Sequence, residues 1–208
     1  MKLQRFAFGA AVLTALPLAA ATADEPKTQN NTAATTVVDS KAGKLSDAEL
    51  QVLAHLHHSD MLEVRTGKLA MEKGGDAGVK SFGKMLVDEH GADARMILSL
   101  VGKHGQTLPD MKPVSEADQA DLQLAQQTMA RLAELSGKDF DREFLRAQVA
   151  MHDKTLAKLD RDIATIKDNA DLVSMLRNDR PVLVKHREHA QTLLGQHAGG
   201  NEQARGEH

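Results

Sequence analysis

Two carboxylates and an imidazole fall within five residues of one another in Val87-Asp88-Glu89-His90-Gly91-Ala92-Asp93. Glu89, His90 and Asp93 are groups that bind metal ions or move protons. Plotted at about 100° per residue, Val79, Phe82, Met85, Leu86, Met96, Ile97 and Leu100 share one side of a helix. Glu89 and Asp93 point into the middle of that side and His90 sits at its edge. Charged groups are seldom buried unless they are paired or hold a cation. The plain alternative is that these side chains snorkel outward and form salt bridges.

Two more histidines interrupt apolar stripes. His152 lies in the series Leu145, Val149, Leu156, Leu159, Ile163, and His186 in the series Leu172, Leu176, Leu183, Ala190, Leu193. In the first helical stretch, Leu50, Leu53, Ala54, His57, Met61 and Val64 form the stripe, with Asp60 and Glu63 toward its edge. Ligands on different helices cooperate only when they share a level. From the turn at Gly75, Asp60 and His90 are both roughly 22 Å away at 1.5 Å per residue. From the turn at Asp168, His152 and His186 are roughly 24–27 Å away on the same reckoning. Helices of equal length therefore bring all four to mid-height. Imidazole with carboxylate suits Zn, Fe, Mn, Cu or Ni rather than Ca or Mg. The candidate metal set is Glu63, Glu89, His90, His152 and His186, with Asp60 as an alternative to Glu63. His55, His58, His104, His189, His197 and His208 read as surface residues.

The elements that must position these groups are helices. Ser46 with Glu49 is a capping box that opens a helix running to about Lys73, and Gly74-Gly75 stops it. Asp76 caps a second helix that ends near Gly102 or His104, and the short connection requires an antiparallel hairpin. A two-proline loop, 105–113, leads to a shorter helix opened by Ser115 with Asp118, with Leu122, Ala125, Met129 and Leu132 on one face. Gly137 closes it and Asp139 is the expected cap of the next helix. A last helical region covers Ala170 to Gln196, with a kink expected at Pro181 or a fresh start capped by Asp179. The pattern predicts an all-α bundle of four long helices with one short accessory helix.

Composition agrees with that fold. The 208 residues include no Cys, Trp or Tyr and only 5 Phe. A core of Leu, Val, Ile, Met and Ala suits helices better than sheets. Without cysteine there are no disulfides, no thiolate metal sites and no covalent haem attachment. Lys2 and Arg5, the apolar run Phe6 to Ala20, and Ala21-Thr22-Ala23 together have the form of a signal peptide, 1–23, cleaved after Ala23. Residues 24–44 then read as a flexible linker, 45–198 as the bundle domain and 199–208 as a disordered tail. The expected location is periplasmic, with no membrane span in the mature chain. The formal charge of −3 becomes more negative once Lys2 and Arg5 leave, which argues against nucleic acid as a partner.

The stretch from about Leu45 to Gly199 resembles a bacterial family, domain of unknown function 4142, regarded as ferritin-like. The resemblance rests on Glu63 followed by Gly67-Lys68-Leu69-Ala70, and on Val79 with Phe82, Met85, Val87-Asp88 and His90. It continues through Leu135-Ser136-Gly137, Phe140-Asp141, Phe144-Leu145 and His152 to Pro181, His186 and Ala190. It implies an exported, ferritin-like four-helix bundle without an established activity. Di-iron proteins of that fold carry Glu-x-x-His pairs on two helices. Here Ala92 stands three residues after Glu89, and Val182 and Leu183 precede His186, so ferroxidase chemistry is not implied. The functional expectations are a transition-metal bundle, a non-enzymatic structural or partner-binding envelope stress protein (homo-oligomers included), and, last, a non-covalent haem bundle using Met61 or Met96. Ser59, Ser81, Ser99 and Ser174 lack a nucleophile-elbow context, and there is no phosphate-binding glycine loop.

Overall fold

A computed structural model describes residues 43–203, and five helices make up almost all of them: α1 Asp47–Lys73, α2 Ala77–Lys103, α3 Glu116–Glu134, α4 Gly137–Thr165 and α5 Ala170–Gln203. The expected signal peptide, all but the end of the expected linker, and residues 204–208 lie outside the described residues. The protein is all-α, and among the described residues the β-type pairing is one isolated bridge, Gly74 with Gly137. No described helix is long and apolar enough to cross a membrane.

Local chemistry sets most of the boundaries. The Ser46 Oγ accepts from the Glu49 amide at 3.3 Å while Glu49 Oε2 accepts from the Ser46 amide at 2.7 Å, a reciprocal cap. Asp76 Oδ1 accepts from the Gly78 and Val79 amides, and Ser115 Oγ from the Asp118 amide. Two expected boundaries differ. The cap position of α4 is Ser136, not Asp139, which instead lies in the first turn and accepts from Arg142 at 2.6 Å. Pro181 neither starts nor ends a helix, since α5 runs through it from Ala170 to Gln203, past both Gln196 and the expected start of the tail. Proline removes the bond to the carbonyl four residues earlier. That carbonyl belongs to Arg177, and both residues are exposed, so water can take the missing donor's place.

α1 packs along α2 and α4 along α5, and the two pairs join through α1 with α4 and α2 with α5. At the α1–α2 crossing a Cβ on Gly83 would stand 2.7 Å from the Gly67 carbonyl oxygen and 2.7 Å from the Ala70 Cβ. The two glycines thus let the backbones approach more closely than any side chain would allow. The core is divided. One apolar cluster holds Leu50, Leu53, Ile97, Val101, Leu156, Leu159, Leu172 and Leu176, and the other Val79, Phe82, Leu86, Phe140, Phe144, Leu145, Ala190 and Leu193. Between them, in the order of each helix, come the buried polar residues Asp60, Glu63, Thr66, His90, Gln148, His152 and His186. Leu156 borders this layer on its apolar side at 6 % exposure, and Leu156→Ala is expected to lower stability by about 2–5 kcal/mol in denaturant titration. A loss under 1 kcal/mol would mean that it lies outside the core.

Two stripes are rotated from the sequence expectation. On α2 the buried positions are Val79, Phe82, Gly83, Leu86, His90, Ala94, Ile97 and Val101, so His90 occupies the centre and Glu89 and Asp93 flank it. Met96 is 51 % exposed. On α1, Asp60, Glu63 and Gly67 are buried, while His57 is only partly covered and Met61 is exposed. The physical reason is the same in both helices. Close backbone approach at Gly67 and Gly83 sets the buried face, on which Ala94 also lies, and small residues carry little weight in a hydrophobic pattern.

Candidate metal centre

The polar layer brings three imidazoles together from three helices. One ring nitrogen each from His90 on α2, His152 on α4 and His186 on α5 lies within 4.8 Å of the other two. Ring centroids are 5.0 Å apart for His90 and His186, 5.5 Å for His152 and His186, and 5.8 Å for His90 and His152. All three side chains are almost fully buried. They meet because each stands between its helix's two apolar runs, as the shared height along the chain required.

The outward nitrogens are tied down. His90 Nδ1 lies 2.9 Å from Asp60 Oδ1, and His186 Nε2 lies 2.8 Å from Glu89 Oε2. His152 Nδ1 donates to the Gln148 carbonyl oxygen at 2.9 Å, with Glu63 Oε1 3.8 Å away. That bond leaves the lone pair of His152 on Nε2, which is buried and has no hydrogen-bond partner. The inward nitrogens His90 Nε2 and His186 Nδ1 are 3.2 Å apart. Thr66 Oγ1 donates to the Glu63 backbone carbonyl at 3.0 Å, lies 3.4 Å from Glu63 Oε2 and accepts from Gln148 Nε2 at 3.1 Å.

The ionisation pattern follows from this geometry. Burial alone would depress the His90 pKa, but the Asp60 hydrogen bond and the charges of Glu63, Asp60 and Asp93 outweigh it and raise it. Burial lowers the His152 pKa against the pull of Glu63. Burial and the neighbouring His90 charge bring His186 down to about 4, against the Glu89 hydrogen bond. The chain Asp60···His90···His186···Glu89 has three links and needs three protons. It closes when His90 carries two and His186 one, the assignment these directions favour.

Of the five expected site residues, His90, His152 and His186 converge, whereas Glu63 and Glu89 stand behind the rings on the outward nitrogens. Asp60 takes the same kind of position behind His90. Sequence reasoning missed Asp179, which shares with Asp60, His90 and Asp93 the wall of a cavity of about 20 Å³, enough for one water. Burial, with the charges of Asp93 and Asp60, pushes the Asp179 carboxyl up from 3.8 to about 7. Its sequence signal was spent on a capping role, because Asp two residues before proline reads as a helix start. The raised pKa means that stability present below pH 4 is lost as pH rises through about 7. In the metal-free protein Asp179→Asn is therefore expected to be the more stable form at pH 8, with the difference closing by pH 4. A difference independent of pH in thermal melts would contradict this.

Comparison with known proteins is consistent with this picture without adding to the site. No curated protein and no solved structure matches the chain. Residues 32–193, which include all five helices' packed segments and every residue of the polar layer, match one family model, and on that match the chain belongs to the family described as Domain of unknown function (DUF4142).

Proposed function

We propose that this chain is an exported, ferritin-like bundle protein that holds one transition-metal ion, of the Zn, Fe, Mn or Cu class, on His90, His152 and His186. The observation that carries the reading is the division of labour in the three rings. Each outward nitrogen has an oxygen partner, Asp60, Glu89 or the Gln148 carbonyl, while His90 Nε2 and His186 Nδ1 are 3.2 Å apart and one nitrogen of each of the three rings lies within 4.8 Å of the others. Metal-bound histidines are oriented in this way, with the far N–H on a carboxylate or carbonyl that fixes the tautomer. A tetrahedral ion with bonds of about 2.05 Å sets its nitrogens about 3.3 Å apart. The His90–His186 separation of 3.2 Å already fits. His152 would close in by at most about 1.5 Å, since its nitrogen lies within 4.8 Å of the others.

The ion would take the place of the proton shared between His90 Nε2 and His186 Nδ1, so loading releases a proton. Three histidines leave a fourth position for water or another small ligand. Export is supported by the leader pattern of Lys2, Arg5, Phe6 to Ala20 and Ala21-Thr22-Ala23. The haem alternative loses its methionine candidates, because Met61 and Met96 are 40 % and 51 % exposed.

Metal analysis of protein purified from its native compartment without chelators, followed by X-ray absorption at the metal edge, is the test. About one ion per chain with an imidazole-dominated shell is the expected result. Chains free of transition metal would leave the second reading, a structural or partner-binding bundle whose polar layer is closed by its own protons.

A further inference from the structure

α3 is the least anchored of the five helices, with Leu132 near its C-terminal end as its one fully buried residue. Its inner positions Leu122 and Ala125 are only half-covered, because a cavity of about 250 Å³ lies between this helix and the α1–α4 surface. A closed apolar cavity of about 150 Å³ accommodates benzene. The larger volume here admits an unbranched chain of several carbons. Its apolar lining comes from Leu56 and Leu62 on α1, Met151 and Leu159 on α4, Leu122 on α3, and Met111 in the preceding loop.

The polar groups around the cavity are not neutral in effect. Asp121 is paired with Lys154, and Asp118 Oδ2 accepts from Ser115 Oγ at 2.9 Å and from the Val114 amide at 3.1 Å at the start of α3. Lys158 lies 3.5 Å from Asp162. Arg161, at the exposed edge one turn further along α4, has no ion pair among the described residues. His55 lines the cavity with a solvent-shielded Nε2 that lacks a hydrogen-bond partner. Burial lowers the pKa of both His55 and His58, so these rings face the cavity uncharged. What remains without a partner in this wall is the Arg161 guanidinium and the Nε2 of His55, beside an apolar floor. A ligand that answers all three has a short apolar body and one anionic head.

We infer that the space beneath α3 is a binding site for a small anionic amphiphile, a monocarboxylate with an apolar chain of about eight carbons. The carboxylate sits at Arg161 and the chain lies over Leu56, Leu159 and Met151 under Leu122. The site is separate from the histidine layer and does not depend on a metal being bound there.

The probe is octanoate, titrated into the full-length protein carrying ¹³C-labelled methionine methyls. Saturable shifts of the Met111 and Met151 methyls, with Met61, Met71 and Met96 unmoved, are expected. Octanol should bind about tenfold more weakly and octyltrimethylammonium more weakly still. Arg161→Gln should reduce octanoate affinity about tenfold and leave octanol unchanged, while Leu122→Trp, which fills the cavity from the α3 side, should abolish both with circular dichroism unchanged. Non-saturating shifts, shifts spread over all methionines, or equal binding of the cationic amphiphile would overturn the inference. Binding that survives Leu122→Trp in a folded protein would do so as well. None of these readouts requires metal, so the result is independent of the outcome at His90, His152 and His186.

Discussion

Zinc added in excess to the metal-free protein is expected to raise its melting temperature by roughly 8–16 °C, and His152→Ala or His186→Ala is expected to remove that rise. The magnitude follows from binding to the folded state alone: at about a thousand times Kd the stabilisation is about 4 kcal/mol, and for a chain of this size each kcal/mol shifts the melt by roughly 2–4 °C. Either variant removes one of only three converging nitrogens, so the loss is expected to be nearly complete. The shift should also weaken with acid. A proton on His90 competes for the nitrogen that the ion needs, and because the His90 pKa is raised, the weakening begins above the ordinary histidine value of about 6.5. Differential scanning fluorimetry across pH, with apo controls for each variant, reads both effects. A rise that persists in both histidine variants would place the ion on surface histidines and end the proposed assignment.

Asp141→Ala is expected to be a strongly damaging change at a polar residue away from that layer, lowering stability by roughly 2–4 kcal/mol and the melting temperature by roughly 5–15 °C. Asp141 is fully buried near the start of α4. Its two carboxylate oxygens accept from the Gly75 and Asp76 amides at 2.9 and 3.0 Å, holding the α1–α2 turn from a position more than sixty residues away in the chain. Asp141→Asn repairs one of these bonds at most, because its amide NH₂ would face a donor. The Asn variant should therefore lie between wild type and Ala in chemical denaturation. Since the turn is at one end of α1 and α2 and the histidines are at mid-height, zinc should still stabilise what remains folded. A wild-type melting curve for Asp141→Ala would show that water serves these amides as well as the carboxylate does.

The roles of Asp60, Glu63, Glu89 and Asp179 separate local from tertiary information. Hydrophobic spacing identified His152 and His186 as core positions, because Leu145, Leu156 and Leu159, and Leu183, Ala190 and Leu193, fix those faces on either side. It set His90 at an edge and Asp93 at the centre, because Gly83 and Ala94, small residues on the buried face of α2, count for little as apolar residues. The same weakness put His57 in the stripe of α1 and Asp60 toward its edge, whereas Asp60 is buried and His57 only partly covered. The reading of His55 and His58 as surface residues failed for a related reason, since a helix face turned from the main core can still be covered by an accessory helix such as α3.

Helix identity, the capping box at Ser46, the Asp76 and Ser115 caps, the Gly-Gly stop and the common height of the three histidines were determined by the sequence itself. Each depends on residues a few positions apart or on a rise per residue that every α-helix shares. Tertiary structure alone decided which nitrogen of each ring faces inward, that Glu63 and Glu89 stand behind histidines instead of beside them, that Asp141 serves the α1–α2 turn, and that a cavity remains under α3. These depend on helix rotation and separation, which are set by backbone approach at Gly67 and Gly83 and by contacts between residues sixty to a hundred positions apart. A rotation of one residue step, about 100°, exchanges a ligand for its neighbour, and no local pattern in the chain fixes a helix's rotation to within that angle.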